Sequence, residues 1–255
     1  MDNSGLDTIL KIGGSILTDK SGFESLNKES LERTIGELKD FKNFILIHGV
    51  GSFGHAHVKK YRVVETQSRD KILETHIACR KLNWFVMEEM RKNNLYALPI
   101  HPFTSVITRD GKIHIFDMTL LIVALQRGFI PVLHGDMVYD MSNQYIPLSG
   151  DEIARFLGKQ LMISRIGMAT SVDGIFDDSG NFIERITPKN YDDVIKYVRG
   201  SDNDVTGGMR NKLSSLFHLT RYGVEINIFN GLKKGNIKRF MTGENVGTVI
   251  TGERD

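Results

Sequence analysis

Cysteine is nearly missing from this chain: Cys79 is the single one in 255 residues. No internal disulfide can form, and the composition fits a reducing cytoplasm. Cys79 falls on the apolar face of an expected helix and reads as a buried structural thiol rather than a nucleophile. Long apolar runs are missing too. Residues 120–125 form the longest, far short of the roughly 20 needed to span a bilayer. The opening residues 1–8 are polar, without the basic-then-apolar order of a signal peptide, and are expected to form a short disordered tail. Neither sign of charge dominates: 33 Lys and Arg against 31 Asp and Glu give a net charge of +2. A dedicated nucleic-acid binder would concentrate far more basic residues. The P-loop pattern G-x-x-x-x-G-K-[ST] and the protein-kinase H-R-D and D-F-G motifs do not occur. No repeat or low-complexity linker divides the chain.

What is present is alternation of strand-like and helix-like segments over the whole length. Strands are expected at 9–12, 44–47, 95–100, 129–133, 161–169, 225–229 and 247–251. Helices are expected at 28–41, 69–93, 118–126, 187–198 and 210–222, with hairpins at 105–115 and 137–147. Ser149 and Glu152 stand at capping-box spacing before a further helix. The first strand, helix and second strand form a βαβ unit, hence a parallel pair. One continuous α/β domain over residues 1–255 is the economical reading.

The chain is organised around residues 44–57. Four apolar residues, 44–47, run straight into His48 and a turn holding Gly49, Gly51 and Gly54. Glycines after a strand let the backbone bend or approach a ligand closely, and free N–H groups at such a turn favour an anion. Gly49-Val50-Gly51-Ser52-Phe53-Gly54 matches the dinucleotide fingerprint letter for letter. The required acid at the end of the following strand is missing, since that strand runs into His101, so an NAD(P)-binding oxidoreductase is disfavoured. The nucleophile-elbow pattern fails because Val50 replaces its first glycine. Similar turns at Gly13-Gly14 and Gly135 follow strands, and Gly207-Gly208 precedes a helix. Lys11, Lys20 and Lys212 accompany them. Turns need glycine and surfaces carry lysine, but their joint occurrence at strand ends points to a polyphosphate site.

Five segments then carry a resemblance. They are Lys11-Ile12-Gly13-Gly14-Ser15, His48-Gly49-x-Gly51-Ser52-Phe53-Gly54-His55, Ser149-Gly150-Asp151, Val172-Asp173-Gly174-Ile175 and Asp204-Val205-Thr206-Gly207-Gly208-Met209-x-x-Lys212. In order and spacing they resemble the amino acid kinase superfamily. The Gly-Ser-Phe-Gly-His form of the second turn is similar to that of the archaeal-type isopentenyl phosphate kinases. The resemblance implies an αβα sandwich around a mainly parallel open sheet. It implies ATP-dependent, Mg²⁺-assisted phosphorylation of isopentenyl phosphate to isopentenyl diphosphate. Residues from about 9 to 150 would hold the acceptor, and those from about 151 to 255 the nucleotide. A cytoplasmic homodimer is implied, with no nucleic-acid or membrane partner and no protein-held metal.

Residue by residue, the resemblance gives Lys11 contact with the transferring phosphoryl, beside the N–H groups of Gly13, Gly14 and Ser15. Lys20 becomes a candidate transition-state stabiliser and Lys212 a lysine near the departing ADP. Asp151 orients the lysines rather than acting as a base, because a phosphate monoester is already a competent nucleophile. Gly51 lies between the two ligands. His55, the N–H of Gly54, Val50 and Gly150 line the acceptor phosphate, and Asp173, Gly174 and Gly207 belong to the nucleotide side. Such chemistry asks mainly for alignment of two anions and for stabilisation of their charge, which cations and N–H groups supply.

Two positions depart from the family pattern. Val50 replaces a glycine, which is tolerable provided its φ is negative, and Ser171 replaces a common aspartate. The set His48, His55 and His57 matches no zinc spacing. His48 is expected to be buried and hydrogen-bonded, His57 to be solvated, and His55 to be functional. A phosphonate kinase of the fosfomycin-kinase type and a non-catalytic ligand sensor on the same fold are the alternatives.

Overall fold

The apolar runs near residues 9 and 44 form the middle of the molecule, as strands covered on both faces do. β1 (Thr8–Ile12) and β2 (Phe44–His48) pair in parallel, from Thr8 opposite Phe44 to Ile12 opposite His48. Between them lie α1 (Gly14–Leu17) and α2 (Lys28–Gly36). A helical arm follows β2: α3 (Gly51–Tyr61), α4 (Val63–Thr66) and α5 (Arg69–Lys92). Next come β3 (Ala97–Pro99), α6 (Pro102–Ser105) and the hairpin of β4 (Val106–Arg109) with β5 (Lys112–Phe116). α7 (Thr119–Gln126) leads to β6 (Ile130–His134) and the hairpin of β7 (Asp136–Asp140) with β8 (Gln144–Leu148). α8 (Gly150–Gln160) and β9 (Arg165–Thr170) open the second part, with short strands β10 (Ile175–Phe176), β11 (Phe182–Ile183) and β12 (Arg185–Ile186). α9 (Tyr191–Tyr197), α10 (Gly208–Phe217), β13 (Glu225–Asn230), α11 (Asn236–Met241) and β14 (Thr248–Ile250) complete it. This computed structural model describes residues 6–19, 21–198 and 208–252, with the backbone alone for Tyr197, Gly208, Met209, Asn211 and Lys212.

Eight strands form one open sheet in the order β12-β14-β13-β9-β1-β2-β6-β3. Every neighbouring pair is parallel except β13 with β14. The expected fold class, an αβα sandwich around a mainly parallel sheet, is the one found. Strand alternation sets its two faces. Ile9, Ile45 and Ile47 pack with Ile153 and Leu157 of α8 and Leu213 of α10. Leu10, Ile12, Phe44 and Leu46 pack on the other face with Leu31 of α2, Leu82 of α5 and Phe240 of α11. A four-stranded sheet, β5-β4-β7-β8, stands beside the main one. Lys11 follows Ile9 by two positions, so it shares the α8 face, at the carboxyl end of the central strand.

Several element boundaries differ from those expected. Residue 8 belongs to β1 rather than to a tail, while residues 1–5 lie outside the described set. The helix expected at 28–41 ends at Gly36. Asn190 turns its side chain back onto the N–H of Thr187 (2.8 Å), so α9 begins at Tyr191 and not at the proline. Met162 takes φ +51°, which separates α8 from β9 and delays the strand to Arg165. Among the described residues no helix is long and apolar enough to cross a membrane.

Candidate active site

β1 and β2 end side by side, and their glycine turns interlock. The N–H of Gly13 donates to the Ala169 carbonyl (2.8 Å), and the N–H of Gly49 donates to the Ile12 carbonyl (2.8 Å). Beyond these bonds the two backbones touch. A Cβ on Gly49 would lie 2.5 Å from the Gly14 nitrogen, and one on Gly14 would collide with the nitrogen of Gly51. Gly51 adopts φ +44°, and a Cβ there would strike Thr18 Oγ1. Gly51 thus requires glycine for conformation and for space. Val50 adopts φ −101° and ψ −8°, the negative φ that its side chain needs. That side chain is buried against Gly54 and Gly135, turned into the protein.

The turns hold N–H groups that secondary structure leaves over. Those of Gly14, Ser15, Val50 and Gly51 have no hydrogen-bond partner among the described residues. The N–H of Gly54, expected to hold the acceptor, already donates to the Val50 carbonyl at 3.2 Å. The N–H of Ser52 donates to Thr18 Oγ1 (3.1 Å), so Thr18 caps α3 from another segment. Such a cluster of convergent donors at a helix start favours an anion.

A cation stands beside it. Lys11 is 6% exposed, and its Nζ lies 2.6 Å from Oδ1 of Asp151 in the first turn of α8. The carboxylate also sits where the helix dipole favours negative charge. A Cβ on Gly150 would lie 3.5 Å from Cε of Lys11 and 3.3 Å from the His48 carbonyl oxygen, so this glycine makes room for the lysine. Ser149 caps α8 by accepting from the Glu152 N–H (3.2 Å). The reciprocal half of the capping box is not made, because Glu152 turns to Arg155 and to the N–H of Ile113.

The three histidines part company. His55 is exposed, one turn beyond Gly51 and hence on the same side of α3. His57, expected to be solvated, is buried: its Nε2 lies 2.8 Å from Glu24 Oε1 and its ring stacks on Phe23 at 4.5 Å. Two positions further round the helix, it faces the segment after α1 rather than solvent. His48 is buried as expected. It bonds the Gly49 carbonyl through Nδ1 (3.0 Å) and Asn83 through Nε2 (3.0 Å). Its neighbour His134 bonds the Gly135 carbonyl (2.8 Å) and His101 (2.9 Å). Burial drives His48 down to about 4 and His134 to about 3, so both rings are neutral near pH 7. His76 and Asp136 form another buried pair at 2.9 Å. Cys79 is buried, and burial pushes its thiol up, consistent with a structural role.

On the other side of β1 the ends of β9 and β13 carry a looser group. Asp173 accepts from Asn230 (2.8 Å) and pairs with Lys233 (2.9 Å), and Lys233 first, then Asn230, hold its carboxyl low. A Cβ on Gly174 would meet Thr248 Oγ1 at 2.5 Å. Lys20 and Gly207 lie outside the described residues, as does the side chain of Lys212, whose backbone lies in α10. Sequence reasoning missed Thr18, Asn83 and Lys233. For Asn83 one signal existed: His-Gly occurs at the ends of both β2 and β6, and a buried imidazole at each needs a second partner.

The family model of the amino acid kinase family matches residues 8–230. The chain belongs to the amino acid kinase family. Among amino acid kinases it is 36% identical to an isopentenyl phosphate kinase of Methanocaldococcus jannaschii, with 95% of this chain and 98% of that one covered. An isopentenyl phosphate kinase of Methanothermobacter thermautotrophicus is 31% identical, with 96% and 99% covered. An X-ray structure of isopentenyl phosphate kinase superposes with a TM-score of 0.80 at 30% identity, covering 96% of this chain and 99% of its own.

Proposed function

We propose that this amino acid kinase transfers the γ-phosphoryl group of ATP to isopentenyl phosphate, giving isopentenyl diphosphate and ADP. The observation that carries the reading is Lys11, buried and held by Asp151, beside two interlocked turns in which the N–H groups of Gly14, Ser15, Val50 and Gly51 have no partner among the described residues. Two anionic substrates repel each other, and a site of fixed cations and oriented N–H dipoles offsets that repulsion where charge develops. The acceptor phosphate oxygen attacks the γ-phosphorus, and the bond to the ADP oxygen breaks. Asp151 is engaged by Lys11 and takes no proton, which suits a nucleophile that is already ionised. Val50, Gly51 and His55 face the acceptor, with Gly54 and Gly150 supporting the turn and the lysine.

Residues from about 9 to 150 hold the acceptor and those from about 151 to 255 the nucleotide, with β1 as the seam between β2 and β9. Gly14, Ser15, Lys20 and Lys212 serve the nucleotide phosphates and the leaving group. Gly13 supports their turn with its N–H taken by the Ala169 carbonyl, and Asp173, Gly174 and Gly207 belong to the nucleotide side. The donor set around Lys11 holds one carboxylate, already paired, rather than the several that a cation cage needs. It fits Mg²⁺ carried on the phosphates of ATP, where the ion supplies charge neutralisation. A homodimer is supported by Leu73, Ile77 and Trp84, which stand exposed along α5. The single cysteine supports a cytoplasmic place.

An ADP-release assay across isopentenyl phosphate, dimethylallyl phosphate, fosfomycin, uridylate and acetylglutamate tests the reading. Isopentenyl phosphate is expected to give the highest kcat/KM. A higher value for fosfomycin would transfer the assignment to phosphonates, and ATP binding without turnover of any acceptor would leave a sensor.

A further inference from the structure

We propose that His48, held by Asn83, is a positioning residue that aims the backbone N–H of Val50 at the acceptor phosphate. The identity of that phosphate rests on the kinase reading above; the positioning rests on geometry. His48 ends β2 with no exposed surface, and its Nδ1 lies 3.0 Å from the Gly49 carbonyl oxygen. A carbonyl can only accept, so Nδ1 carries the proton and Nε2 the lone pair. Asn83, 2% exposed, places Nδ2 at 3.0 Å from Nε2 and supplies the donor this tautomer requires. The Gly49–Val50 peptide is planar and trans, so its C=O and N–H point in opposite directions. Holding the carbonyl toward the buried imidazole therefore turns the Val50 N–H away from it. The N–H groups of Gly49, Ser52, Phe53 and Gly54 are all engaged, whereas that of Val50 has no partner among the described residues.

The arrangement answers a difficulty that the turn creates. Position 49 must be glycine because its backbone touches Gly14. Glycine is also the residue at which the following peptide flips at least cost. A flip would present the Gly49 carbonyl, a negative dipole end, to an incoming phosphate. The bond from His48 opposes it. β6 repeats the device one strand over: His134 stands in register with His48, its ring stacked at 5.5 Å, and its Nδ1–H donates to the Gly135 carbonyl at 2.8 Å. Its Nε2 accepts from Nδ1 of His101 at 2.9 Å. Gly135 then donates to the His48 carbonyl at 3.0 Å and backs the Val50 side chain, so the second copy braces the first.

Two amides separate the bonds of His48. In His48→Asn the amide nitrogen stands near the place of Nδ1 and can still donate to Gly49; in His48→Gln it reaches only the place of Nε2. His48→Gln is expected to raise the KM for isopentenyl phosphate about tenfold or more, the loss of a hydrogen bond to a charged group, with the KM for ATP unchanged. His48→Asn is expected to recover most of that loss. A merely structural role would lower the melting temperature of both variants and leave their KM values alike. The Val50 amide resonance, followed while inorganic phosphate is added, is expected to shift in the wild type and in His48→Asn but not in His48→Gln. Equal acceptor KM values in the two variants, or a Val50 amide that phosphate does not move in the wild type, would overturn the proposal. If the wild type fails to turn over isopentenyl phosphate while phosphate still moves the Val50 amide in a His48-dependent way, the substrate reading fails and the positioning stands. Should His48→Gln not fold, Asn83→Leu keeps the imidazole but removes what fixes its tautomer. It is expected to raise the acceptor KM by a smaller factor, and an unchanged value overturns the proposal.

Discussion

The two sides of β1 are built differently. Toward β2 and β6, the turns are backed by a buried polar network of His48, Asn83, His134 and the pair of His76 with Asp136, to which the half-buried His101 is joined. Backbones interlock there, and a peptide is held from behind. Toward β9 and β13, the corresponding strand ends carry Asp173, Asn230 and Lys233, with Lys233 exposed and Asp173 partly so. The first side is fixed before any ligand arrives, because buried polar groups keep their partners at high cost of loss. The second side relies on exposed pairs that water competes for, and such pairs contribute little. On the proposed reading, preorganisation is therefore concentrated on the acceptor side, where alignment to within a fraction of an ångström matters.

Removing the cation at the seam should give the largest effect. Lys11→Ala is expected to lower kcat by about 10²-fold or more in the ADP-release assay, with the fold retained. Lys212→Ala is expected to act on the same scale from the nucleotide side, and wild-type kcat in either would remove that lysine from the reaction. Gly51→Ala should follow, since the new Cβ meets Thr18 and the φ of +44° is strained for alanine. Its expected signature is loss of acceptor turnover together with a lower melting temperature; an unaffected variant would show that the turns are not rigid.

His55→Ala should weaken acceptor binding and turnover by about 1.5–3 kcal/mol, the range for a charge-assisted hydrogen bond. ADP affinity, measured by calorimetry, should hardly change. His55→Gln, which keeps a donor without the charge, should fall between. An effect confined to ADP would place His55 on the wrong side of the comparison.

The buried histidines predict a pH dependence of stability. Their pKa values are depressed in the folded state, so between about 6.5 and the folded values the unfolded chain binds more protons. Stability is therefore fully present above about pH 6.5 and lost as pH falls, down to about 4 for His48 and about 3 for His134. Urea midpoints should drop across that window, and His48→Asn should flatten the dependence. The smallest effect is expected for Val50→Gly. Its N–H remains, so activity should be retained, while the emptied space against Gly54 and Gly135 should lower stability by about 1–3 kcal/mol.

The alternation of strands and helices, the parallel pairing of the first two strands and the place of the turns were legible in the sequence alone. Apolar runs such as 44–47 admit little besides a doubly covered strand, and glycine after a strand announces a close backbone approach. The sequence also determined Lys11, because a lysine two positions after a core isoleucine must lie on that strand face near the strand end. Local pattern gave no access to pairings across the chain. Whether His57 meets water or Glu24 depends on a segment 33 residues away, and Asn83 reaches His48 across 35 residues. Thr18 caps a helix that begins after another strand. Such contacts have no periodicity, since only the packing of helices on the sheet brings their partners within hydrogen-bond reach. The tertiary structure alone decided which N–H groups of the two turns were left without a carbonyl, because that follows from how both backbones interlock.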